Sequence, residues 1–307
     1  MKVFSMTLTA VILLLLAACT HAGWNFISKK QYPTLAFYFL ANIFGMFCIS
    51  PLIPCYWDKI PLIPPIVWMF LLMSGFFLAV YMAALAGAYR SGDLSIAYPL
   101  ARSLPVIIVT GVSIVMGRGH VLGWLFFVGI ILVVIGCLML PMKALRDFHL
   151  QNYLNICCLL AVLAAIAISG YTIVDDEALR RLRELPGKPF DPVNATLVYL
   201  VLEAVSSFLW KGAFVACSAV ERKNLAVVLR TYKSSAALTG IGIFLTYGLV
   251  LASMSYVTNV SYVAAFRQLS ILIVAVLGMV LLKEPHHVPK VIGVILIFAG
   301  LIMVGIF

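Results

Sequence analysis

Apolar runs of about 20 residues follow one another ten times along this 307-residue chain, with only short polar interruptions between them. Each run is about the length a helix needs to cross the ~30 Å hydrocarbon layer of a bilayer. That layer offers no water to backbone N–H and C=O groups, so runs that cross it must satisfy those groups internally, as helices do. The runs fall at about residues 3–27, 34–53, 65–87, 94–116, 121–141, 153–174, 194–219, 236–257, 259–282 and 289–307. Composition agrees, with 64% of residues hydrophobic and 10% charged, against about 45–50% and 25% in a soluble domain. We therefore expect an all-α membrane protein of ten transmembrane helices, with no soluble domain.

The fourth run, Leu94–Met116, carries a cation. Arg102 lies about eight residues inside it, roughly 12 Å deep at 1.5 Å per helical residue. A guanidinium at that depth faces a bundle interior or a wet cavity, because lipid cannot solvate it. Pro99 and Pro105 flank it, and each is expected to disturb the helix at the carbonyl four residues back, Ser95 and Ala101.

The same arrangement recurs later in the chain. At an offset of 165, Arg102 falls on Arg267, Leu104 on Leu269, Ile108 on Ile273 and Val109 on Val274; at 164, Gly129 falls on Gly293 and Gly136 on Gly300. A slip of one residue in the connecting loop reconciles the two offsets. The chain thus divides into a first repeat, residues 1–141, a linker, 142–152, and a second repeat, 153–307. Five spans per repeat is an odd number, so the second begins on the opposite side of the membrane from the first, giving two inverted five-helix repeats. Gly129 and Gly136, one heptad apart, are read as a site of close helix packing.

YRSGDLSIAYPLAR at residues 89–102, AGWNFISK at 22–29, GYTIVD at 170–175 and FRQLSILIVAVLGMVLLKE at 266–284 are similar to the EamA-type branch of the drug/metabolite transporter superfamily. The resemblance covers nearly the whole chain. It implies a ten-helix carrier and leaves the substrate open, because that superfamily handles amino acids, sugars, nucleotide conjugates and drugs on one scaffold. Many members carry Gly-Glu after the fourth helix, whereas this chain reads Gly117-Arg118-Gly119; Glu284 keeps the acid after the ninth helix only.

Arg102 and Arg267 are the expected substrate ligands, with Tyr98, Tyr262, Asn25 and Trp24 around them. Glu203 and Lys211 lie eight residues apart, about 80° around one helix, so both are able to face inward. Glu203 is expected either to carry a proton or to balance an arginine. Asp175-Asp176-Glu177 reads as a solvated helix end followed by a short charged helix broken at Pro186-Gly187, and residues 220–235 read as a basic loop. Asp93 is placed to cap the fourth helix.

The remaining signals point away from other chemistries. Seven cysteines without a Cys-x-x-Cys pair read as small hydrophobes. The adjacent His286 and His287 make a poor metal site, so neither metal nor cofactor is expected. Leu16-Ala17-Ala18-Cys19 mimics a lipoprotein cleavage site, but Trp24 and Phe26 continue the apolar run, and we expect a retained helix. The net charge of +10 is spread over short loops, which suits anionic lipid rather than nucleic acid. Lys and Arg are denser in loops on the side away from the N-terminus, which favours outside termini by the positive-inside rule; the resemblance implies cytoplasmic termini.

These features describe a secondary transporter, with export as its direction, of small polar metabolites such as amino acids or organic anions, working by alternating access in a bacterial cytoplasmic membrane. The alternatives are a lipid-linked substrate translocase on the same scaffold and an intramembrane enzyme; no His-Glu-x-x-His or Gly-x-Ser-x-Gly supports the latter. Proton coupling, and a monomer or a homodimer, fit the sequence equally.

Overall fold

The computed structural model describes residues 6–91, 94–140, 142, 144, 155–273, 276 and 287–306, with the side chains of residues 29, 30, 89, 94–100, 102 and 306 outside that description. Among the described residues the regular structure is helical, apart from one isolated bridge between Met6 and Val257. Its helices are α1 (Leu8–Lys30), α2 (Leu35–Ile49), α3 (Leu52–Cys55), α4 (Pro65–Arg90), α5 (Leu94–Val115), α6 (Trp124–Met139), α7 (Ile156–Arg183), α8 (Pro192–Cys217), α9 (Ala219–Thr231), α10 (Lys233–Ser253), α11 (Val260–Phe266) and α12 (Val288–Ile306). Six of them, α1, α4, α7, α8, α10 and α12, are long and apolar enough to cross a bilayer. The apolar helices α2 and α6, the described part of α5, and α11 with its continuation to Ile273 are shorter.

Helix starts follow the chain chemistry. Side chains of Thr7, Thr34, Asn155 and Asp191 accept from free N–H groups in the first turns of α1, α2, α7 and α8, which removes the unsatisfied donors of those helix ends. Between α7 and α8, Gly187 (φ +75°) and Lys188 (φ 46°) take left-handed backbone that reverses the chain. Asp93, the expected cap of α5, lies outside the described residues.

The bundle has a largely apolar core with a minority of buried polar groups, and its outer face is apolar as well. On α12, Val288, Val291, Ile295, Phe298 and Ile302 are exposed at helical spacing, while Ile297, Leu301 and Val304 are buried. Phe127, Ile131 and Ile135 do the same on α6. Such extended apolar stripes are foreign to a soluble surface and match hydrocarbon. Three cysteines (137, 157, 158) are buried and four (19, 48, 55, 217) are exposed, and none of the seven is in a disulfide. The expectation of small buried hydrophobes therefore holds for only three; the other four stand on the outer face of the bundle, where a weakly polar thiol is tolerated.

The most extensive packing joins α4 to α7, α6 to α12, α1 to α10, α5 to α7, α2 to α10 and α4 to α8. The α6–α12 crossing depends on four glycines. Gly129 faces Gly300 and Gly136 faces Gly293, so the two helices run antiparallel, and a Cβ on any of the four would lie 2.6–2.8 Å from the opposite glycine's carbonyl oxygen. Backbone touches backbone here, a distance that only glycine permits.

Loops meet in two groups. At one end, Thr7 N–H donates to the Tyr256 carbonyl (3.2 Å), Arg183 to Ser255 Oγ (3.0 Å) and Arg118 to Asp176 (3.2 Å). At the other, Arg90 pairs with Glu221 (3.2 Å), Tyr32 Oη donates to Asn224 (3.1 Å), and Ala36 N–H in the first turn of α2 donates to Glu221 (2.9 Å). A carboxylate at a helix N-terminus is favoured by both the free N–H and the helix dipole.

Three expectations need correction. The sixth apolar helix does not end near residue 174: α7 runs to Arg183, and the expected separate charged helix is its last two turns, held by ion pairs described below. The basic loop over 220–235 contains a helix, α9, whose N-cap Ser218 accepts from Glu221 N–H; Ser218-x-x-Glu221 is an N-terminal signature that charge density concealed. The backbone of α5 stays helical through Pro99 and Pro105. The break falls instead after α11, where Gln268 N–H bonds three residues back to Ala265 and Ser270 Oγ caps the Arg267 carbonyl (2.9 Å).

Replacing Gly136 with Ala forces a backbone shift at the crossing and should destabilise the protein by about 1–3 kcal/mol. Gly111, where an added Cβ would meet nothing within 4 Å, should accept Ala with no loss. Thermal unfolding of the two purified variants in detergent checks the contrast.

Candidate functional site

The polar interior is organised around α7. Asp175 is fully buried there and accepts three hydroxyl hydrogen bonds, each from a different helix: Ser74 of α4 (2.6 Å), Tyr199 of α8 (2.8 Å) and Tyr247 of α10 (2.5 Å). One turn earlier, Tyr171 and Thr172 receive the guanidinium of Arg267, at 2.5 and 3.0 Å. The same guanidinium stands 5.4 Å from the centre of the Tyr171 ring, in cation–π contact. Tyr171 and Tyr247 pack edge-on at 6.1 Å. The hydroxyl partners of Arg267 and of Asp175 are thus different residues, linked by the Tyr171–Tyr247 ring contact, and the two charges form no direct ion pair.

Glu203 and Lys211 lie further along, on α8. Both are buried, at 1% and 3% exposure. Lys211 Nζ donates to Asn42 Oδ1 of α2 (2.7 Å), and Asn42 donates in turn to the Ala204 carbonyl (3.2 Å). Among the described residues Glu203 Oε1 has no hydrogen-bond partner, and both Asp175 and Lys211 are close enough to act on it electrostatically. The expectation that Glu203 and Lys211 both face the interior is met.

Arg267 borders a small cavity where α5, α7 and α11 meet. Its walls include Pro105, Val109, Thr172 and Gln268, and its volume is about 10 Å³, enough for roughly one water. Gln268 is 2% exposed, and its Oε1 has no hydrogen-bond partner among the described residues. Arg102 stands three residues before Pro105 on α5; its side chain and that of Tyr98 lie outside the described residues. Glu284 and His286 also lie outside them.

The other expected ligands are dispersed. Trp24 packs against Gly242 of α10 with Nε1 unpartnered, and Asn25 bonds His21 across one turn of α1 (2.8 Å). Tyr262 stacks edge-on against Phe126 (4.8 Å) and donates to the Val121 carbonyl (3.4 Å). The structure therefore brings together Arg267, Glu203 and Lys211 with Asp175, and sets Trp24, Asn25 and Tyr262 against other helices.

The reading of Asp175-Asp176-Glu177 as a solvated helix end is wrong. Asp175 faces the core, while Glu177 is 8% exposed and pairs with Arg118, Arg180 and Arg181; Asp176 pairs with Arg118 as well. Adjacent acids look solvated when read linearly, yet about 100° of rotation per residue sends Asp175 and Glu177 to different partners. Arg118, which stands where the resemblance expects an acid, meets acids supplied by α7. With Asp175 counted beside Glu203, the apolar helices carry Arg102, Lys211 and Arg267 against two carboxylates, a formal surplus of one positive charge.

A helical bundle with an apolar surface, six helices fit to cross a bilayer and buried charges between them is a multi-pass membrane protein. Residues 155–306 match the EamA-like transporter family, and the chain belongs to that family, within the drug/metabolite transporter superfamily. This is a family of transporters rather than of enzymes. A solved structure described as "Crystal structure of protein" is similar with a TM-score of 0.63 at 16% identity, covering 96% of each chain, which is a likeness of fold alone. Among curated proteins none matches this chain.

Asp175→Asn leaves one of three buried hydroxyls facing a donor and should cost about 1.5–3 kcal/mol. Glu203→Gln, altering a carboxylate whose Oε1 receives nothing, should cost less. Thermal unfolding of both variants orders them.

Proposed function

We propose that this protein is a secondary transporter of small polar metabolites, amino acids or organic anions, whose ten apolar helices cross the membrane as two inverted five-helix repeats over residues 1–141 and 153–307. The symmetry of the packing supports the repeat. If α1, α2, α4, α5 and α6 correspond in order to α7, α8, α10, α11 and α12, then the α1–α10 contact maps onto α7–α4, α2–α10 onto α8–α4, and α6–α12 onto itself. Inverted repeats about an axis in the membrane plane generate such exchanges. The protein is then a multi-pass component of a bacterial cytoplasmic membrane, with export as the direction to test first.

The observation that carries the reading is the guanidinium of Arg267, anchored by Tyr171 and Thr172 at a nearly closed meeting point of three helices. A cavity of one water does not hold a metabolite, so substrate reaches Arg267 only when α5 and α11 part from α7, which is the motion of an alternating-access carrier. The surplus cation favours a substrate with a carboxylate, phosphate or phosphonate, which guanidinium groups grip bidentately. Glu203, buried on α8 with one carboxylate oxygen unpartnered among the described residues, is the group we assign to proton coupling.

In proteoliposomes, Arg267→Lys keeps the charge but loses the fork and should weaken substrate binding by about 1–3 kcal/mol; Arg102→Lys should do the same, and Arg→Ala at either position more. Glu203→Gln should slow transport and flatten its pH dependence. Uptake and efflux against a panel of amino acids, organic anions and phosphorylated metabolites test these outcomes; normal transport by the Ala variants, or robust transport of a permanent cation, would refute the reading.

A further inference from the structure

A second, larger cavity lies at the end of the bundle that holds the N-terminus of α1. It has a volume of about 360 Å³ and is walled by the last turns of α7 and by the connection from α10 to α11, with Asp176, Arg180, Arg183, Ser255 and Asn259 among its residues. That volume is in the range of small-molecule sites. The charges around it do not balance. Asp176 is paired with Arg118, Glu177 with Arg118, Arg180 and Arg181, and Glu184 with Arg180. Among the described residues, four arginines face three carboxylates here, and Arg183 is the one left over.

Arg183 donates from one terminal nitrogen to Ser255 Oγ (3.0 Å). Among the described residues no carboxylate oxygen lies within 4.0 Å of it. A guanidinium carries five N–H donors in a planar fork suited to carboxylate or phosphate oxygens; Asp176 and Glu184 act on Arg183 only from beyond ion-pair distance, and among the described residues one hydrogen bond engages its fork.

The cavity also continues the seam that leads to Arg267. Its wall includes Asp176 of α7 and Val260 of α11; the small cavity beside Arg267 is walled by Thr172 and Ala264, each one helical turn deeper along the same two helices. At the level of the larger cavity, Asn259 Nδ2 donates to Ser113 Oγ (2.7 Å) and to the Arg118 carbonyl (2.9 Å), tying the start of α11 to the end of α5.

We propose that this vestibule is a second anion subsite, in which Arg183 with Ser255 takes a carboxylate or phosphate group one step before or after Arg267 does. Its assignment to the transported substrate rests on the carrier reading; the anion chemistry itself does not. The group is supplied either by a soluble metabolite or by a lipid headgroup at the membrane surface, and the two sources are separable.

Inorganic phosphate is titrated calorimetrically into the full-length protein in phosphatidylcholine nanodiscs, at ionic strength held constant with chloride, and again in discs containing phosphatidylglycerol. We expect Arg183→Gln to weaken phosphate binding by about tenfold or more, the scale of losing charge-assisted hydrogen bonds, with Arg183→Lys intermediate and Ser255→Ala a smaller loss. If phosphatidylglycerol leaves the Arg183-dependent binding unchanged, the occupant is a soluble anion; if it competes in wild type but not in Arg183→Gln, the occupant is a headgroup. Should Arg183→Gln fail to fold, Arg183→Lys and Ser255→Ala carry the comparison. Phosphate affinity that is unchanged in all folded Arg183 and Ser255 variants, or no phosphate or phosphatidylglycerol binding at all, overturns the subsite. Arg183-dependent binding in a protein that transports nothing would instead leave the subsite standing and remove only the carrier reading.

Discussion

One carboxylate ties four helices together. Asp175 projects from α7 into hydroxyls supplied by α4, α8 and α10, and in an apolar bundle such a group has no water to fall back on. Once α7 places a carboxylate there, the three partner helices must each present a hydroxyl at hydrogen-bonding distance. That demand fixes the rotation of α4, α8 and α10 about α7 more sharply than apolar contact does, because dispersion is non-directional and lipid competes for it equally well. The glycine crossing of α6 on α12 is the opposite device, bringing two backbones together through the absence of side chains.

The polar interior then acquires a direction. From Arg267 the contacts run through Tyr171 and Tyr247 to Asp175, and from there to the neighbourhood of Glu203, Lys211 and Asn42. No ion pair within 4.0 Å joins these four charged residues among the described residues. The ion pairs lie at the ends of the bundle instead, around Glu177 and between Arg90 and Glu221. Charges that are solvated by hydroxyls rather than locked to an opposite charge keep some capacity for an incoming group, whereas the terminal ion pairs hold loops in place. The unequal treatment of Arg183 and its arginine neighbours follows the same division.

Much of this was legible in the residues themselves. Hydrophobic runs of span length and the buried positions of Glu203 and Lys211 are local properties: a helix of known pitch places its own residues without reference to neighbours. Gly129, Gly136, Gly293 and Gly300 were visible as a repeated spacing, and the repeat implied close packing without saying that each glycine would meet the counterpart of the other. The extension of α7 was hidden because a run of Asp, Asp, Glu and Arg looks like solvent-exposed chain when its distant partners are Arg118, after α5, and hydroxyls of α4, α8 and α10. Trp24, Asn25 and Tyr262 combine polarity with depth in apolar runs, and neither property says which helix a side chain will face.

The sequence by itself therefore determined the solvent of this protein, its helices and the presence of costly charges within them, since bilayer thickness and helical pitch are constants that any chain must obey. Only the tertiary structure decided which of those charges meet. The partners of Asp175 come from residues 74, 199 and 247, and those of Arg267 from 171 and 172; hydrogen bonds reach about 3 Å in space whatever the distance along the chain, so no reading of neighbours in sequence contains them.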